Sequence, residues 1–304
     1  MSIKLLVGES GECYAPEEKA LAHVTTGKFS IEFKATSGNG QPVFIKKLIS
    51  GNESNEIAFP ARGDKIVTLI DIIRQAQDTY LVFPFVTGVT LKDALKQSKL
   101  RKLFSDKILI ELISELLDGL STIHATGWLH GDIKPQNIML EIKDNKITGL
   151  RIIDFGKASA FYEHAENRRD FTLVYSAPEI ILQQHALVGP SADIYSMSLI
   201  LYEILTGEVP FVHTNPEMLI HLMINKPIAP SREISEGLFS VLKKATSKAF
   251  FKKPPQLLSF EEREQLMKEA ITYRYSDVTS FREDLFKYTY EFKIKQRSWF
   301  YPFT

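Results

Sequence analysis

The stretch that decides the fold is His130-Gly131-Asp132-Ile133-Lys134-Pro135-Gln136-Asn137. Before it, residues 105–125 carry Leu109, Leu112, Ile113, Leu116, Leu120 and Ile123 at helical spacing, with Asp106, Glu111, Glu115 and Asp118 between them. After it, the short apolar segments 138–142 and 150–153 flank Lys143-Asp144-Asn145-Lys146 and read as two strands around a turn. The stretch is thus a loop held between rigid elements. Directly behind Ile152 and Ile153 comes Asp154-Phe155-Gly156, whose glycine is expected to permit backbone angles that other residues resist.

Toward the N-terminus the pattern is strand-rich. Residues 29–35 and 43–48 read as strands joined through Ser37-Gly38-Asn39-Gly40, and 80–86 as a further short apolar strand. The next strand after Lys46 is expected to start at Ile66-Val67. From Pro178 onward the pattern is mostly helical. Strands first and helices after predict an α+β fold of two lobes, a small strand-rich one and a larger helical one, joined near 87–90 where a cleft would lie. The division reads as an N-terminal extension over 1–23, an N-lobe over 24–86, a C-lobe over 87–290 with an insertion near 254–272, and a tail over 291–304.

Phosphoryl transfer needs a carboxylate to take the hydroxyl proton and oxygen ligands to hold Mg²⁺ against the phosphates. Asp132 suits the first task, Asn137 and Asp154 the second, and Lys134 can neutralise charge building on the moving group. Either motif alone is a common loop or turn; their order, spacing and flanking elements together make the signal specific. The pair resembles the catalytic loop and the metal-binding D-F-G of the eukaryotic-type protein kinase family. The resemblance continues through Ala177-Pro178-Glu179, like A-P-E, and Asp193-Ile194-Tyr195-Ser196, like the start of the buried helix anchoring the catalytic loop. The family usually has Trp where Tyr195 stands and Gly where Ser198 stands. Arg274 matches the arginine that pairs with the A-P-E glutamate, which makes Glu179, Asp193 and Arg274 structural candidates. Val43-Phe44-Ile45-Lys46 resembles V-A-I-K, so Lys46 is expected on the α- and β-phosphates. Alternation along a strand turns Lys47 to the opposite face.

The resemblance spans 24–286 and implies a bilobal kinase fold, ATP and Mg²⁺ as cofactors, and transfer of the γ-phosphoryl group. By the same resemblance Phe83 takes the gatekeeper place, Pro84 offers its carbonyl and Val86 its N–H to adenine, so the missing N–H of proline is no obstacle. Lys134 with Thr172 resembles the serine/threonine subgroup acting on protein substrates. Small-molecule kinases share His-Gly-Asp but typically lack the lysine and A-P-E. A second alternative is a pseudokinase scaffold; the presence together of Lys46, Asp132, Asn137 and Asp154 argues against it.

Three departures stand out. The glycine-rich loop is reduced to Gly27 in Thr25-Thr26-Gly27-Lys28-Phe29-Ser30, with Gly8-Glu9-Ser10-Gly11 too far upstream, which would weaken the backbone cradle over the phosphates. The helix carrying the partner of Lys46 is short; Glu56 fits best and Glu53 second. Gly131 replaces the arginine that usually gathers a phosphorylated activation loop, so activity is expected not to depend on that phosphorylation.

Composition narrows the partners. Among 304 residues, 37 Lys and Arg balance 37 Asp and Glu, leaving no basic footprint for nucleic acid. The single cysteine, Cys13, allows no internal disulfide, and the N-terminus lacks a signal-peptide core. Apolar runs such as 199–205 are too short to span a membrane. A cytoplasmic protein is expected, or one in a host cytosol if it is an effector, since the trimmed form also resembles eukaryotic-like kinases of intracellular bacteria. Ser259-Phe260-Glu261-Glu262 opens a short capped helix that packs on the lobe or docks a partner. The tail mixes Lys293, Lys295 and Arg297 with Trp299, Phe300, Tyr301 and Phe303, and either docks on its own domain or meets a partner or membrane surface.

Overall fold

The computed structural model describes residues 5–17, 30–48, 54–162 and 173–291. Gly27, Glu53, Thr172 and the tail 292–304, all invoked above, lie outside the described residues.

The N-terminal lobe is a six-stranded antiparallel sheet in the order β1-β2-β3-β4-β6-β5, formed by β1 (Leu6–Val7), β2 (Cys13–Pro16), β3 (Ser30–Ser37), β4 (Pro42–Leu48), β5 (Asp71–Gln75) and β6 (Asp78–Pro84). β3 and β4 form the expected hairpin, with Glu32 opposite Lys46 and Gly40 at φ 82° in its turn. The alternating side-chain directions of a strand then sort β4. Val43 and Ile45 pack into one buried cluster with Ala35, Ile73 and Val82. Leu48 packs with Leu81 and Phe83 on the other side, toward the cleft, with Phe44 against them. Lys46 shares that second face, while Lys47 points away and pairs with Asp78 at 2.7 Å.

The extension predicted over 1–23 is corrected in part, because β1 and β2 are strands of this sheet. Asp71 ties them down: it accepts from Ser10 N at 3.2 Å and from the Tyr14 hydroxyl at 2.9 Å. Glu9 N donates to Ile72 O at 2.8 Å, so the first turn meets the far edge strand and the sheet closes on itself. The segment Gly8-Glu9-Ser10-Gly11 is that turn. Strands of two and four residues carry too little alternation to be read, which is why the sequence hid them. The strand expected at Ile66-Val67 is also displaced. Those residues run extended against Ile152, with Val67 N donating to Ile152 O at 2.9 Å, and β5 begins only at Asp71.

Between β4 and β5 stands a single helical turn, α1 (Asn55–Ala58). The chain crosses to the larger lobe after β6 through β7 (Gly88–Thr90), then α2 (Leu91–Lys96), α3 (Ser98–Arg101) and α4 (Asp106–His124). Ser105 caps α4 by accepting from Ile108 N, and the apolar stripe predicted for this helix is its buried face. β8 (Trp128–Leu129), β9 (Ile138–Lys143), β10 (Lys146–Ile152) and β11 (Ser159–Ala160) frame the two motif loops; β9 and β10 pair around Asp144 and Asn145, both at positive φ. After α5 (Pro178–Ile181) comes α6 (Pro190–Thr206), buried nearly all round and ended by Gly207 at φ 80°. α7 (Pro216–Asn225), α8 (Glu236–Ala245), α9 (Phe260–Tyr273) and α10 (Val278–Phe286) complete the lobe. α9 is the capped helix of the predicted insertion. Its capping box is formed, it is 14 residues long rather than short, and Met267 packs it onto Leu187 and Ala249.

Candidate active site

Where the sheet faces the helical lobe, Lys46 Nζ donates to Glu56 Oε2 at 2.9 Å and to Asp154 Oδ1 at 3.1 Å. Burial works against the Lys46 ammonium, but the carboxylates of Asp154 and Glu56 outweigh it and hold its pKa above the ordinary lysine value. Glu56 reaches this place from one turn of helix because Ser54 holds it twice. Ser54 Oγ accepts from Glu56 N at 3.3 Å and donates to Glu56 Oε2 at 2.8 Å. At the other end of that turn, the Phe59 ring stacks on Phe155 with centroids 4.1 Å apart.

The opposite wall is the loop 130–137. His130 N and Gly131 N donate to the two oxygens of Asp193 at 2.9 and 3.0 Å, and His124 Nε2 donates at 2.9 Å. Burial alone would raise the Asp193 pKa; donors from His124 and the His130 backbone overturn that and hold it below the usual carboxylate value. Gly131 takes φ 74°, a left-handed angle that glycine adopts without strain. His130 Nε2 donates to Ile153 O at 3.0 Å and Nδ1 accepts from Asp132 N at 3.2 Å, so the ring joins the two motif loops. It also lies against Phe155, centroid to centroid 4.9 Å.

Within the loop, Lys134 Nζ donates to Asp132 Oδ2 at 2.5 Å, and Asn137 Nδ2 donates to Asp132 O at 3.0 Å and to Oδ2 at 3.3 Å. Those donations leave the amide oxygen of Asn137 as its remaining polar group. Ile153 N donates to Asn137 O at 2.9 Å, which fixes Asn137 beside Asp154. Asp154 itself sits at φ 64°, a strained angle for a residue with a Cβ. The expectation for Gly156 is corrected here: the left-handed angles fall on Asp154 and Gly131, and Gly156 is not among the residues at positive φ. A Cβ at Gly156 would lie 3.5 Å from Asp154 Oδ1 and 3.6 Å from Lys46 Nζ, an ordinary contact distance in the heart of the site.

Beside these groups opens a cavity of about 370 Å³, whose walls include Phe83, Pro84, Val86, Asn137 and Asp154. The predicted hinge residues therefore share one cavity with Lys46, Glu56 and the two metal candidates. Among the residues of the site that escaped the sequence reading, three stand next to its charged groups or its cavity. Phe44 stands where V-A-I-K has alanine and lines the cavity, 6.5 Å from the Phe83 ring. Ser54 orients Glu56, and Lys157 places Nζ 3.4 Å from Asp132 Oδ1. Position next to a recognised motif was the only signal for any of them. Below the cleft, Arg274 and Glu179 form a buried pair at 2.7 Å, and Arg274 lies over the Tyr195 ring at 5.0 Å.

The chain's sequence places it among known proteins in agreement with this geometry. The protein kinase domain family matches residues 19–283, and the chain belongs to that family. Serine/threonine-protein kinase STE20 of Candida glabrata is 29% identical over 246 residues, covering 80% of this chain and 24% of that protein. A probable serine/threonine-protein kinase PknB of Lactococcus lactis is 31% identical over 225 residues, covering 68% of this chain and 34% of the relative. Death-associated protein kinase 2 of Mus musculus is 32% identical over 211 residues, covering 68% and 53%. The chain thus spans between about a quarter and about half the length of these relatives.

Proposed function

We propose that the protein is an ATP- and Mg²⁺-dependent kinase that transfers the γ-phosphoryl group to serine or threonine of protein substrates. The observation that carries this reading is that Lys46, Glu56, Asn137 and Asp154 line one cavity, with Asn137 donating in turn to Asp132, which also receives Lys134. Kinship to serine/threonine-protein kinases supports the acceptor class.

The residues present fit both ligands. The apolar walls of Phe44, Phe83 and Met139 suit a purine, whose edge would meet the Pro84 carbonyl and the Val86 N–H. Lys46, kept cationic by its two carboxylates, would hold the α- and β-phosphates. The Asn137 amide oxygen and the Asp154 carboxylate would hold Mg²⁺, which typically takes one or two carboxylates and completes its shell with phosphates and water. That ion supplies charge neutralisation on the transferring group. Asp132 would accept the proton of the acceptor hydroxyl, and Lys134 would offset charge on the phosphoryl oxygens.

Gly131 brings no guanidinium to the loop, so activity would not require activation-loop phosphorylation. Among the described residues no helix is long and apolar enough to cross a membrane, and a cytoplasmic site of action is part of this reading.

The test is incubation with Mg²⁺, γ-labelled ATP and a mixed protein substrate, followed by phosphoamino-acid analysis. Label on phosphoserine or phosphothreonine supports the proposal. Label on a small molecule alone would replace it with a small-molecule kinase, and nucleotide binding without any transfer would favour the pseudokinase alternative.

A further inference from the structure

Among the described residues, the two oxygens of Asp132 meet different lysines. Oδ2 receives Lys134 and Asn137, and Lys134 is confined, with its side chain 10% exposed. Oδ1 faces Lys157 across a looser 3.4 Å, and that side chain is 31% exposed. Lys134 is thus committed inside the loop, while Lys157 reaches solvent on the oxygen's outer side.

An acceptor hydroxyl must come within about 2.6–3.2 Å of its base, and it must come from solvent. An ammonium held beside Oδ1 then stands within one residue's reach of the acceptor. Among the described residues, the nearby carboxylates are engaged elsewhere. Glu203 is buried and accepts from the Tyr175 hydroxyl at 2.7 Å, Asp193 is spent beneath the loop, and Glu56 and Asp154 face Lys46.

We propose that Lys157 is a specificity-determining residue that selects serine or threonine flanked by Asp or Glu, making acidic peptides the preferred substrates. This rests on the protein-kinase reading above. A flanking carboxylate would engage the ammonium as the hydroxyl reaches Asp132, and a flanking lysine would meet like charge.

The experiment measures kcat/KM on three serine peptides identical except for Glu, Gln or Lys on both sides of the acceptor. Wild type is compared with Lys157→Arg, Lys157→Met and Lys157→Glu, and only ratios between peptides are read, because any variant here can also slow every peptide. Wild type is expected to favour Glu over Gln by about tenfold, which corresponds to about 1.4 kcal/mol. Arg keeps the ratio, Met collapses it toward unity, and Glu inverts it in favour of the Lys peptide. Added salt shrinks the wild-type ratio. A wild-type preference for the Lys peptide, or a Glu/Gln ratio unchanged in Lys157→Met, overturns the proposal while leaving the kinase reading intact. Failure of wild type to label any peptide or protein overturns the kinase reading and this inference with it.

Discussion

Ser54 Oγ lies 2.8 Å from Glu56 Oε2, the same oxygen that receives Lys46 Nζ at 2.9 Å. One hydroxyl therefore orients the carboxylate that orients the lysine, in a place where only a four-residue helix is available. A turn this short has little stability of its own, so its cap weighs heavily. Ser54→Ala removes a cap worth about 1 kcal/mol and frees Glu56 to rotate. The expected result is a fall in kcat/KM for ATP by roughly three- to tenfold, which a cap of that size implies. Ser54→Thr restores most of it, which mere loss of packing would not allow.

Phe44 and Phe83 predict a tight cavity roof. Phe44→Ala removes the ring that replaces the alanine of V-A-I-K and enlarges the cavity next to Pro84 and Val86. ATP analogues bulky at the adenine N6 are expected to bind the variant more tightly than wild type, by thermal shift. The lost aromatic burial lowers overall stability by a margin at or below the roughly 3–5 kcal/mol of a fully buried Phe→Ala change. Unaltered analogue affinity would place adenine elsewhere.

The buried Arg274–Glu179 pair should behave structurally. Arg274→Ala leaves the Glu179 carboxylate uncompensated and the Ser247 carbonyl without its 2.7 Å donor, at a cost of about 3–5 kcal/mol in denaturant unfolding. The double variant Arg274→Met with Glu179→Leu is expected to recover much of that loss, because no isolated charge remains buried.

Asp71 predicts a pH dependence. Burial would raise its pKa, but donation from Ser10 and Tyr14 prevails and holds it below the ordinary aspartate value. A depressed folded pKa means the contribution to stability is present above the unfolded value of about 3.9 and is lost as pH falls through the folded one. Wild type should therefore exceed Asp71→Asn in stability at neutral pH, and the gap should close in acid below about pH 4. A gap independent of pH would mean that Asp71 acts by shape alone.

The legibility of this chain follows the length and regularity of its elements. The 19-residue α4 has a full apolar stripe and a serine cap, and its sequence delimits it closely. The β3–β4 hairpin is equally plain, because Gly40 marks the turn and alternation separates Lys46 from Lys47. The pairing of Arg274 with Glu179 came from motif order, since 95 residues separate them and no local signal joins them. β1 and β2 stayed hidden because their place depends on Asp71, which is 57 residues beyond Tyr14. Glu56 could be ranked ahead of Glu53 but not fixed, as a single helical turn has no periodicity to read. Lys157 and Ser54 were invisible for a related reason: their roles lie in where a side chain turns, and that is set by tertiary packing.

The most direct measurement compares wild type with Asp132→Asn in parallel assays of nucleotide binding and phosphoryl transfer. Asp132 is the group assigned to the acceptor proton, whereas Lys46 and the cavity walls are assigned to the nucleotide. The account predicts that both proteins bind ATP with Mg²⁺ to a similar degree by thermal shift, that wild type labels serine or threonine, and that the variant loses transfer by at least about a hundredfold, the lower bound of what a positioned general base supplies. Equal labelling by the two proteins would contradict the account.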